Sequence, residues 1–135
     1  SNKPGAVIFA KDIARVARFY EHAVAMANVH SDDDCIVLES THLQLTVHAI
    51  PKAVADCIET SESPMRRSNV AVKLCFPVSS LGDAHQHAVA FGGGMNSLAN
   101  AWKGVGFVAC DGHDPEGNVI QFREFVARLA MPENP

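Results

Sequence analysis

The chain nearly repeats itself, and this internal repeat limits the folds that it can adopt. Residues 6–50 and 69–125 show the same order of predicted elements, namely an apolar strand, an amphipathic helix and further short strands. Such self-similarity indicates two copies of one supersecondary module. We therefore predict an α+β fold of two βαβββ modules, each with a helix on one face of its sheet, whose other faces form a cleft. Short α+β domains of the ferredoxin type share the strand-helix-strand order and are the alternative.

Module one, at about residues 6–50, is predicted to begin with a strand at residues 6–10 and a helix to about residue 25, capped by Asp12. Apolar residues recur in this helix at spacings of three and four, which predicts one buried stripe. The stripe comprises Ile13, Val16, Ala17, Tyr20 and Ala23 or Val24. Two further strands are expected at residues 35–39 and 42–48. The second alternates apolar with polar residues, as on a half-buried sheet.

Module two, at about residues 69–125, is predicted to begin with a strand at residues 70–76 and a helix capped by Ser79 or Ser80. The apolar stripe of this helix comprises Leu81, Ala84, Ala88 and Phe91, and the three glycines at 92–94 end it. Strands are expected at residues 104–110 and 118–125, with a weaker one at 96–101. Residues 51–68, rich in Pro, Ser, Glu and Arg, are a predicted surface linker with a helical turn near residues 54–58.

Length and composition favour a single domain that binds neither nucleic acid nor membrane. The chain has 135 residues and a net charge of −4, and Arg66-Arg67 is its only tight basic pair. No apolar run approaches the roughly 18–20 residues of a membrane span. No signal peptide is apparent and the four cysteines are far apart, so we predict a cytoplasmic protein with reduced, mostly buried thiols. Ser1, Asn2 and Lys3 resemble a tag-removal scar and are left out of the fold prediction.

Two motifs resemble the opening and closing signatures of the vicinal-oxygen-chelate superfamily, which has the glyoxalase, bleomycin-resistance and extradiol-dioxygenase fold. The first is Lys11-Asp12 followed by Phe19-Tyr20, and the second is Asp114-Pro115-Glu116-Gly117-Asn118. In the second motif Pro115 presets its backbone angle and Gly117 accepts a positive one, as a tight turn requires. The resemblance extends over residues 6–125. It implies two paired modules around a cleft and, as in many members, a homodimer.

Metal-using members of this superfamily place four ligands, usually His, Glu or Gln, on the first and last strands of the two modules. The resemblance puts the matching positions at Gly5, Gln44, Lys73 and Gln121. Glycine offers no donor, an amide oxygen is a weak ligand, and an ammonium repels a dication. We therefore predict that no metal is bound there, which disfavours the metal-dependent lyase and dioxygenase reactions of the superfamily.

Strand alternation assigns nine side chains to the cleft, namely Val7, Phe9, Gln44, Thr46, His48, Lys73, Cys75, Gln121 and Arg123. Lys73 or Arg123 would meet a carboxylate, phosphate or phenolate, and Trp102, the only tryptophan, is predicted in a loop that lids the cleft or packs on the sheet. The alternative for the two cations is a solvated rim, paired with Glu39 or Glu124. Cys75 would be a nucleophile only if Lys73 favoured its thiolate, and a buried inert cysteine is the stronger expectation. The predicted ligand-binding residues are Phe9, Gln44, Thr46, His48, Lys73, Cys75, Trp102, Gln121 and Arg123.

Three functions follow from this cleft. The favoured one is a glyoxalase-like protein without a metal cofactor that binds a small aromatic or anionic molecule, as sequestering resistance proteins do. The alternative is an enzyme, a lyase or dioxygenase that holds a divalent metal with a rearranged ligand set. That set would come from His42, His48, His113 and Gln121. The third is a partner-binding module whose cleft is filled with side chains.

Overall fold

The computed structural model describes residues 2–55, 66–67 and 69–126. Module one consists of β1 (Gly5–Ala10), α1 (Ile13–Ala23), β2 (Ala27–Ser31), β3 (Cys35–Glu39) and β4 (Gln44–Ala49), and a short helix, α2 (Lys52–Ala55), follows it. Module two consists of β5 (Leu74–Val78), α3 (Leu81–Ala90), β6 (Gly94–Met95), β7 (Trp102–Lys103), β8 (Phe107–His113) and β9 (Val119–Phe125). Most of the predicted linker, with Cys57, lies outside the described residues. Within them, no helix is long and apolar enough to cross a bilayer.

The two modules share one topology, which confirms the predicted α+β fold. The strand order is β1-β4-β3-β2 in the first sheet and β5-β9-β8-β6 in the second, where β7 also pairs with β8. In each module the first and last strands are parallel neighbours and the remaining pairs are antiparallel. A parallel pair needs a crossover connection, and α1 and α3 lie within these connections.

Module one largely follows its sequence pattern. The Asp12 carboxylate accepts a hydrogen bond from the backbone N–H of Arg15 at 3.1 Å and so caps α1, as predicted. The helix ends at Ala23, and four predicted stripe residues are buried, Val16, Ala17, Tyr20 and Ala23. On β4 Leu45 and Val47 are buried while Gln44 and His48 are exposed, which confirms the alternation. The pattern did not locate β2, because all five of its residues are exposed and only Ala27 and Val29 are apolar.

Module two departs from the predicted strand bounds. Strand β5 begins four residues later than predicted, because Val70 and Val72 belong to an exposed segment (52% and 73% exposed). The strand includes Pro77, which is tolerated because β5 is an edge strand. The strand predicted at 96–101 is wrong, since a 3-10 turn occupies Leu98–Asn100. The strand predicted at 104–110 runs three residues later, as β8. Ser80 caps α3, and the predicted stripe residues Leu81, Ala84 and Ala88 are buried.

The three consecutive glycines have different roles. Gly92, with φ 91°, follows the end of α3, so it is the helix stop that the sequence predicts. Gly93 allows a close approach, because a Cβ there would overlap the ring of Phe19 and the backbone oxygen of His113. Gly94 belongs to β6, and a Cβ on it would lie 2.7 Å from the His113 ring. The last two glycines therefore let α1, β6 and β8 pack closely.

A buried hydrogen-bond network joins the two modules at the turn between β8 and β9. Asp114 is fully buried, and its Oδ2 accepts hydrogen bonds from the Tyr20 hydroxyl at 2.9 Å and from the Asn118 amide at 2.8 Å. Its Oδ1 accepts from the backbone N–H groups of Glu116 and Asn118. Burial, then the charge and hydrogen bond of Asp114, raise the pKa of Tyr20 well above its ordinary value. The phenol therefore stays a donor.

Glu116 extends this network to the start of α1. Its two carboxylate oxygens accept hydrogen bonds from the backbone N–H groups of Lys11, at 2.9 Å, and Asp12, at 2.8 Å. A carboxylate at this end of a helix also interacts favourably with the helix dipole. The hydrogen bonds of Glu116 therefore join the two motifs that carry the family resemblance, the one that begins at Lys11-Asp12 and the turn that begins at Asp114.

His113, at the end of β8, lies in a partly buried position beside the same turn. Burial, followed by the positive charge of Arg66, lowers the pKa of this imidazole, and the nearby Asp114 opposes that shift. The side chain faces Gly94 of β6. The folded protein therefore favours the neutral imidazole.

We expect Tyr20→Phe to lower the free energy of unfolding by about 1–3 kcal/mol, because the Asp114 carboxylate loses a buried donor. Urea denaturation of the two proteins measures this difference. In an Asp114→Asn background the same substitution should cost less, since the acceptor is no longer charged. Equal costs in both backgrounds would show that the charge of Asp114 adds nothing to the strength of this hydrogen bond.

We expect the His113 imidazole to titrate below the ordinary histidine value of about 6.5. Because the pKa of His113 is lower in the folded protein than in the unfolded chain, this group favours the folded state fully above about pH 6.5. That stability is lost as the pH falls from there through the lowered pKa. NMR titration of the imidazole protons, with His113→Asn to assign the signal, measures the pKa. A pKa at or above 6.5 would contradict the burial of this ring.

Candidate functional site

A chain of polar contacts crosses the open face of the second sheet. Lys73 donates to Asp111 at 2.7 Å, and the amide nitrogen of Gln121 donates to the other carboxylate oxygen at 3.1 Å. Arg123 Nε in turn donates to the amide oxygen of Gln121 at 2.7 Å. Three predicted site residues, Lys73, Gln121 and Arg123, therefore form one network. Asp111, which pairs with Gln121 across β8 and β9, connects them.

An aromatic cluster continues this face beyond Arg123. The guanidinium carbon of Arg123 lies 4.2 Å from the centre of the Phe107 ring, a cation–π distance. Trp102 and Phe125 flank Phe107, with ring centres 6.0 and 5.4 Å away. Trp102 is 47% exposed and Phe125 is 57% exposed. We call Trp102, Phe107, Phe125 and Arg123 the aromatic platform.

Trp102 does not lie in a loop, as the sequence predicted, but in the short strand β7, where it pairs with Ala109 of β8. This pairing places its ring on the same face as Phe107. Strand β7 has only two residues, which is too short for an alternating pattern, so the sequence could not reveal it. The exposed tryptophan is therefore part of the sheet surface.

Cys75 also faces this network, and it is not the buried cysteine that the sequence favoured. Its thiol is exposed and lies 3.7 Å from the Gln121 amide oxygen. Of the other described cysteines, Cys110 is buried and Cys35 is partly buried, and all three are free thiols. The prediction of mostly buried cysteines is therefore wrong for the described residues. Edge strand β5 has a neighbour on one side only, which leaves Cys75 uncovered.

The predicted residues of module one lie on the open face of the first sheet. The rings of Phe9 and His48 are 5.8 Å apart, and Phe9 is 61% exposed. Thr46 lies in the middle of the face, paired with Val7 and Val37. The Gln44 amide donates to Glu39 at 3.0 Å, and Lys3 donates to the other oxygen of that carboxylate at 2.9 Å. The hydrogen bonds from Gln44 and Lys3 lower the pKa of Glu39.

The two modules thus contain the same triad of lysine, carboxylate and glutamine. In each, the carboxylate lies directly opposite the glutamine on the antiparallel neighbour, Glu39 with Gln44 and Asp111 with Gln121. On the first strand of each module, one residue pairs with the glutamine: Gly5 in module one and Cys75 in module two. The lysine lies two residues before it in both modules. Lys3, excluded from the fold prediction, is therefore a structural partner.

This register corrects one position derived from the resemblance. The resemblance matched Lys73 with Gln121, whereas the backbone pairing places Cys75 opposite Gln121. Lys73 lies one residue before β5 and reaches the network through Asp111. Neither cation has the partner that the sequence suggested, since Glu39 pairs with Lys3 and Glu124 accepts from the backbone N–H of Leu81.

The residues at the superfamily's ligand positions do not fit a divalent cation. With Cys75 in place of Lys73, the four positions are Gly5, Gln44, Cys75 and Gln121. Cys75 alone offers a strong metal ligand, because Gly5 has no side-chain donor and the Gln121 oxygen already accepts from the Arg123 guanidinium. The two nearby carboxylates each bind a lysine ammonium, at 2.9 and 2.7 Å. A dication would have to displace these ammonium groups and tolerate their charge.

The alternative ligand set is not assembled in the structure. Among the described residues, no group of three His, Cys, Asp or Glu donors that lie close together includes His42, His48 or His113. His48 instead contacts the backbone oxygen of Ala49 at 2.8 Å, and His113 packs beside Gly94.

The predicted site residues form two sets, and two grooves near them contact few of these residues. Phe9, Gln44, Thr46 and His48 lie on the first sheet, and the other five lie on or beside the second. A groove of about 360 Å³ runs between β1 and the β5–β9 edge, and Phe9 is the one predicted residue that lines it. A second groove, of about 380 Å³, includes Lys73 and Asp111 together with Arg66.

Sequence reasoning missed Asp111, Phe107 and Phe125. Asp111 lies beyond residue 110, where the predicted strand ended, whereas Phe107 and Phe125 lie within predicted strands whose pairing was not worked out. Pairing β8 with β9 through the turn at Asp114 would have placed Asp111 opposite Gln121 and Phe107 opposite Phe125. The register of the hairpin formed by β8 and β9 is therefore the signal that could have identified these residues.

Comparison with known proteins agrees with this architecture. The sequence pattern of the glyoxalase-like domain matches residues 5–122. No curated protein sequence matches the chain. A glyoxalase/bleomycin resistance protein/dioxygenase family enzyme from Burkholderia phytofirmans superimposes with a TM-score of 0.67, at 17% identity over 90% of this chain and 97% of that one.

Two further solved structures have the same fold. An integron cassette protein from Vibrio cholerae has a TM-score of 0.61, at 24% identity over 93% of this chain and 96% of that one. The bleomycin resistance determinant encoded on transposon Tn5 has a TM-score of 0.58, at 16% identity over 94% and 100% of the two chains. With the βαβββ repeat and the matched residues 5–122, the chain belongs to the glyoxalase-like domain family of the vicinal-oxygen-chelate superfamily.

Proposed function

We propose that this protein binds a small aromatic anion on the open face of its second sheet without a metal cofactor, in the manner of a sequestering or resistance protein. The aromatic platform would stack on the ring of the ligand, and Lys73 and Arg123 would meet its negative group. Cys75 and Gln121 would line the site between the two cations. Module one, through Phe9, Gln44, Thr46 and His48, would form the opposite wall.

The observation that carries this proposal is the position of Arg123. Its guanidinium lies over Phe107 and donates to Gln121, so both its planar face and its N–H edge are held in place. Arginine in this arrangement is suited to carboxylate and to aromatic surfaces at the same time. The exposed rings of Trp102 and Phe125 extend the apolar surface beside it. An aromatic ring with an acidic substituent matches both properties.

Asp111 would act as the counterion that such a ligand replaces. In the free protein it pairs with Lys73, whose side chain is 39% exposed, so the pair is only weakly stabilising. An anionic ligand would compete with Asp111 for the ammonium. The charge of Asp111 would therefore set how strongly the site discriminates against weak anions.

We also propose that two copies of the chain pair through their open sheet faces. Val7 and Phe9 on the first sheet and Phe125 and Trp102 on the second are all 47–61% exposed, and neighbouring exposed apolar residues of this kind are typical of protein contact surfaces. A second copy would cover them and close the ligand site.

The binding proposal is tested with 2-naphthoate, and with neutral 2-naphthylmethanol as the control ligand. Because Trp102 is the only tryptophan, its fluorescence should be quenched by 2-naphthoate. Arg123→Ala and Lys73→Ala should each weaken binding by about 1–3 kcal/mol, and Asp111→Asn should strengthen it. Arg18→Ala is the matched control, since Arg18 also lies over a ring, Phe91, at 5.7 Å, but on the helical side.

Equal affinity for the two probes, or an unchanged affinity in Arg123→Ala, would contradict the anion site. An unresponsive Trp102 with every aryl carboxylate tried would favour the partner-binding alternative.

The pairing proposal is tested by sedimentation velocity. Phe9→Glu places a charge in the predicted interface and should shift the dimer towards the monomer. Val89→Glu is the control, because Val89 is 59% exposed on α3 and lies away from the open sheet faces. A monomeric wild-type protein at micromolar concentration, or equal effects of the two substitutions, would overturn the pairing.

A further inference from the structure

Three metal-binding side chains meet at the hairpin between β2 and β3. His30 Nε2, a carboxylate oxygen of Asp32 and Cys35 Sγ all lie within 4.8 Å of one another. Among the described residues, this is the one place where three His, Cys, Asp or Glu donors converge in this way. It lies at the opposite end of β3 from Glu39, about 13 Å away by strand rise. The cluster is therefore separate from the superfamily's ligand positions.

The hairpin backbone already fixes one of the three donors. Asp32 Oδ1 accepts hydrogen bonds from the backbone N–H groups of Asp34, at 2.8 Å, and Cys35, at 2.9 Å. The other oxygen, Oδ2, lies 2.8 Å from His30 Nε2 and 3.9 Å from Cys35 Sγ. The carboxylate therefore directs one oxygen towards the imidazole and the thiol while the backbone holds the other.

The chemistry of these donors indicates which ion they would take. One nitrogen, one oxygen and one sulfur suit Zn²⁺ and similar borderline dications, whereas Mg²⁺ and Ca²⁺ prefer oxygen alone. The adjacent acidic residues Asp33 and Asp34 add negative charge. We propose that His30, Asp32 and Cys35 bind Zn²⁺ through three protein ligands, with the fourth position open to water.

A bound ion would have a structural consequence for β2. This edge strand is exposed at every residue, and its pairing with β3 shifts register between Asn28 and His30. A metal that joins His30 of β2 to Cys35 of β3 would fix this pairing, because both strands would share one ion. Binding to the folded state alone also raises its stability by mass action. Zn²⁺ should therefore raise the melting temperature of the whole chain.

The proposal is tested by titrating the purified, reduced, metal-free protein with Zn²⁺ and with Co²⁺. We expect one equivalent of either metal, and Co²⁺ should produce the intense near-ultraviolet band of a thiolate ligand. Cys35→Ser should abolish that band, and His30→Ala and Asp32→Asn should each weaken Zn²⁺ binding by at least about tenfold. Asp32→Asn keeps an amide oxygen for the backbone contacts, so the hairpin can still fold.

Matched variants elsewhere in the chain exclude a general effect of losing one donor. His42→Ala removes an exposed histidine from the same module, and Cys75→Ser removes the exposed thiol of module two. Both should bind Zn²⁺ like the wild type, and circular dichroism checks that every variant is folded. A cobalt complex without a thiolate band would overturn the site, as would Zn²⁺ binding that Cys75→Ser weakens and Cys35→Ser does not. With no Zn²⁺ binding to the wild type, the cluster would be only a hydrogen-bonded turn.

Discussion

The buried carboxylate of Asp114 is the interaction on which the arrangement of the two modules depends. It closes the turn between β8 and β9 with Oδ1 and receives the Tyr20 hydroxyl of α1 on Oδ2. An ionised carboxylate away from water is costly unless all its lone pairs have donors, and this turn supplies them. Glu116 adds two contacts to the backbone before α1. The open faces of both sheets are positioned by these few polar contacts and by the helices packed behind them.

The repeated triad of lysine, carboxylate and glutamine gives the carboxylate of each module a positive partner within the chain. Lys3 pairs with Glu39, and Lys73 pairs with Asp111. These pairs are partly exposed, so they satisfy the acidic groups at little cost while leaving them exchangeable. Module two also has the aromatic platform, which includes Arg123 and has no counterpart in module one. The two faces have therefore diverged, and only the second combines positive charge with exposed aromatic rings.

The site was predictable in part. Alternation on β4 and β9 correctly brought Gln44, Gln121 and Arg123 to open sheet faces, because a period of two fixes the side of each residue. Asp111 was missed because the predicted strand ended at residue 110, and Phe107 was missed because its register against β9 was not worked out. Lys73 was matched with Gln121 because the resemblance does not fix strand register. The cluster of His30, Asp32 and Cys35 was not recognised, since the exposed strand β2 was not predicted. The absence of a metal cofactor, the homodimer and the cytoplasmic location stay predictions.

The sequence by itself determined the repeat, the helix caps, the buried stripes and the turn at Asp114, and with them the family. Each of these is a local property, set by periodicity or by the chemistry of a few adjacent residues. Tertiary structure alone decided which polar residues meet: Tyr20 with Asp114, Lys73 with Asp111, and Arg123 with Phe107. These partners are separated by 94, 38 and 16 residues, and a one-residue change in strand register moves a side chain to the other face of the sheet. No local pattern carries that information.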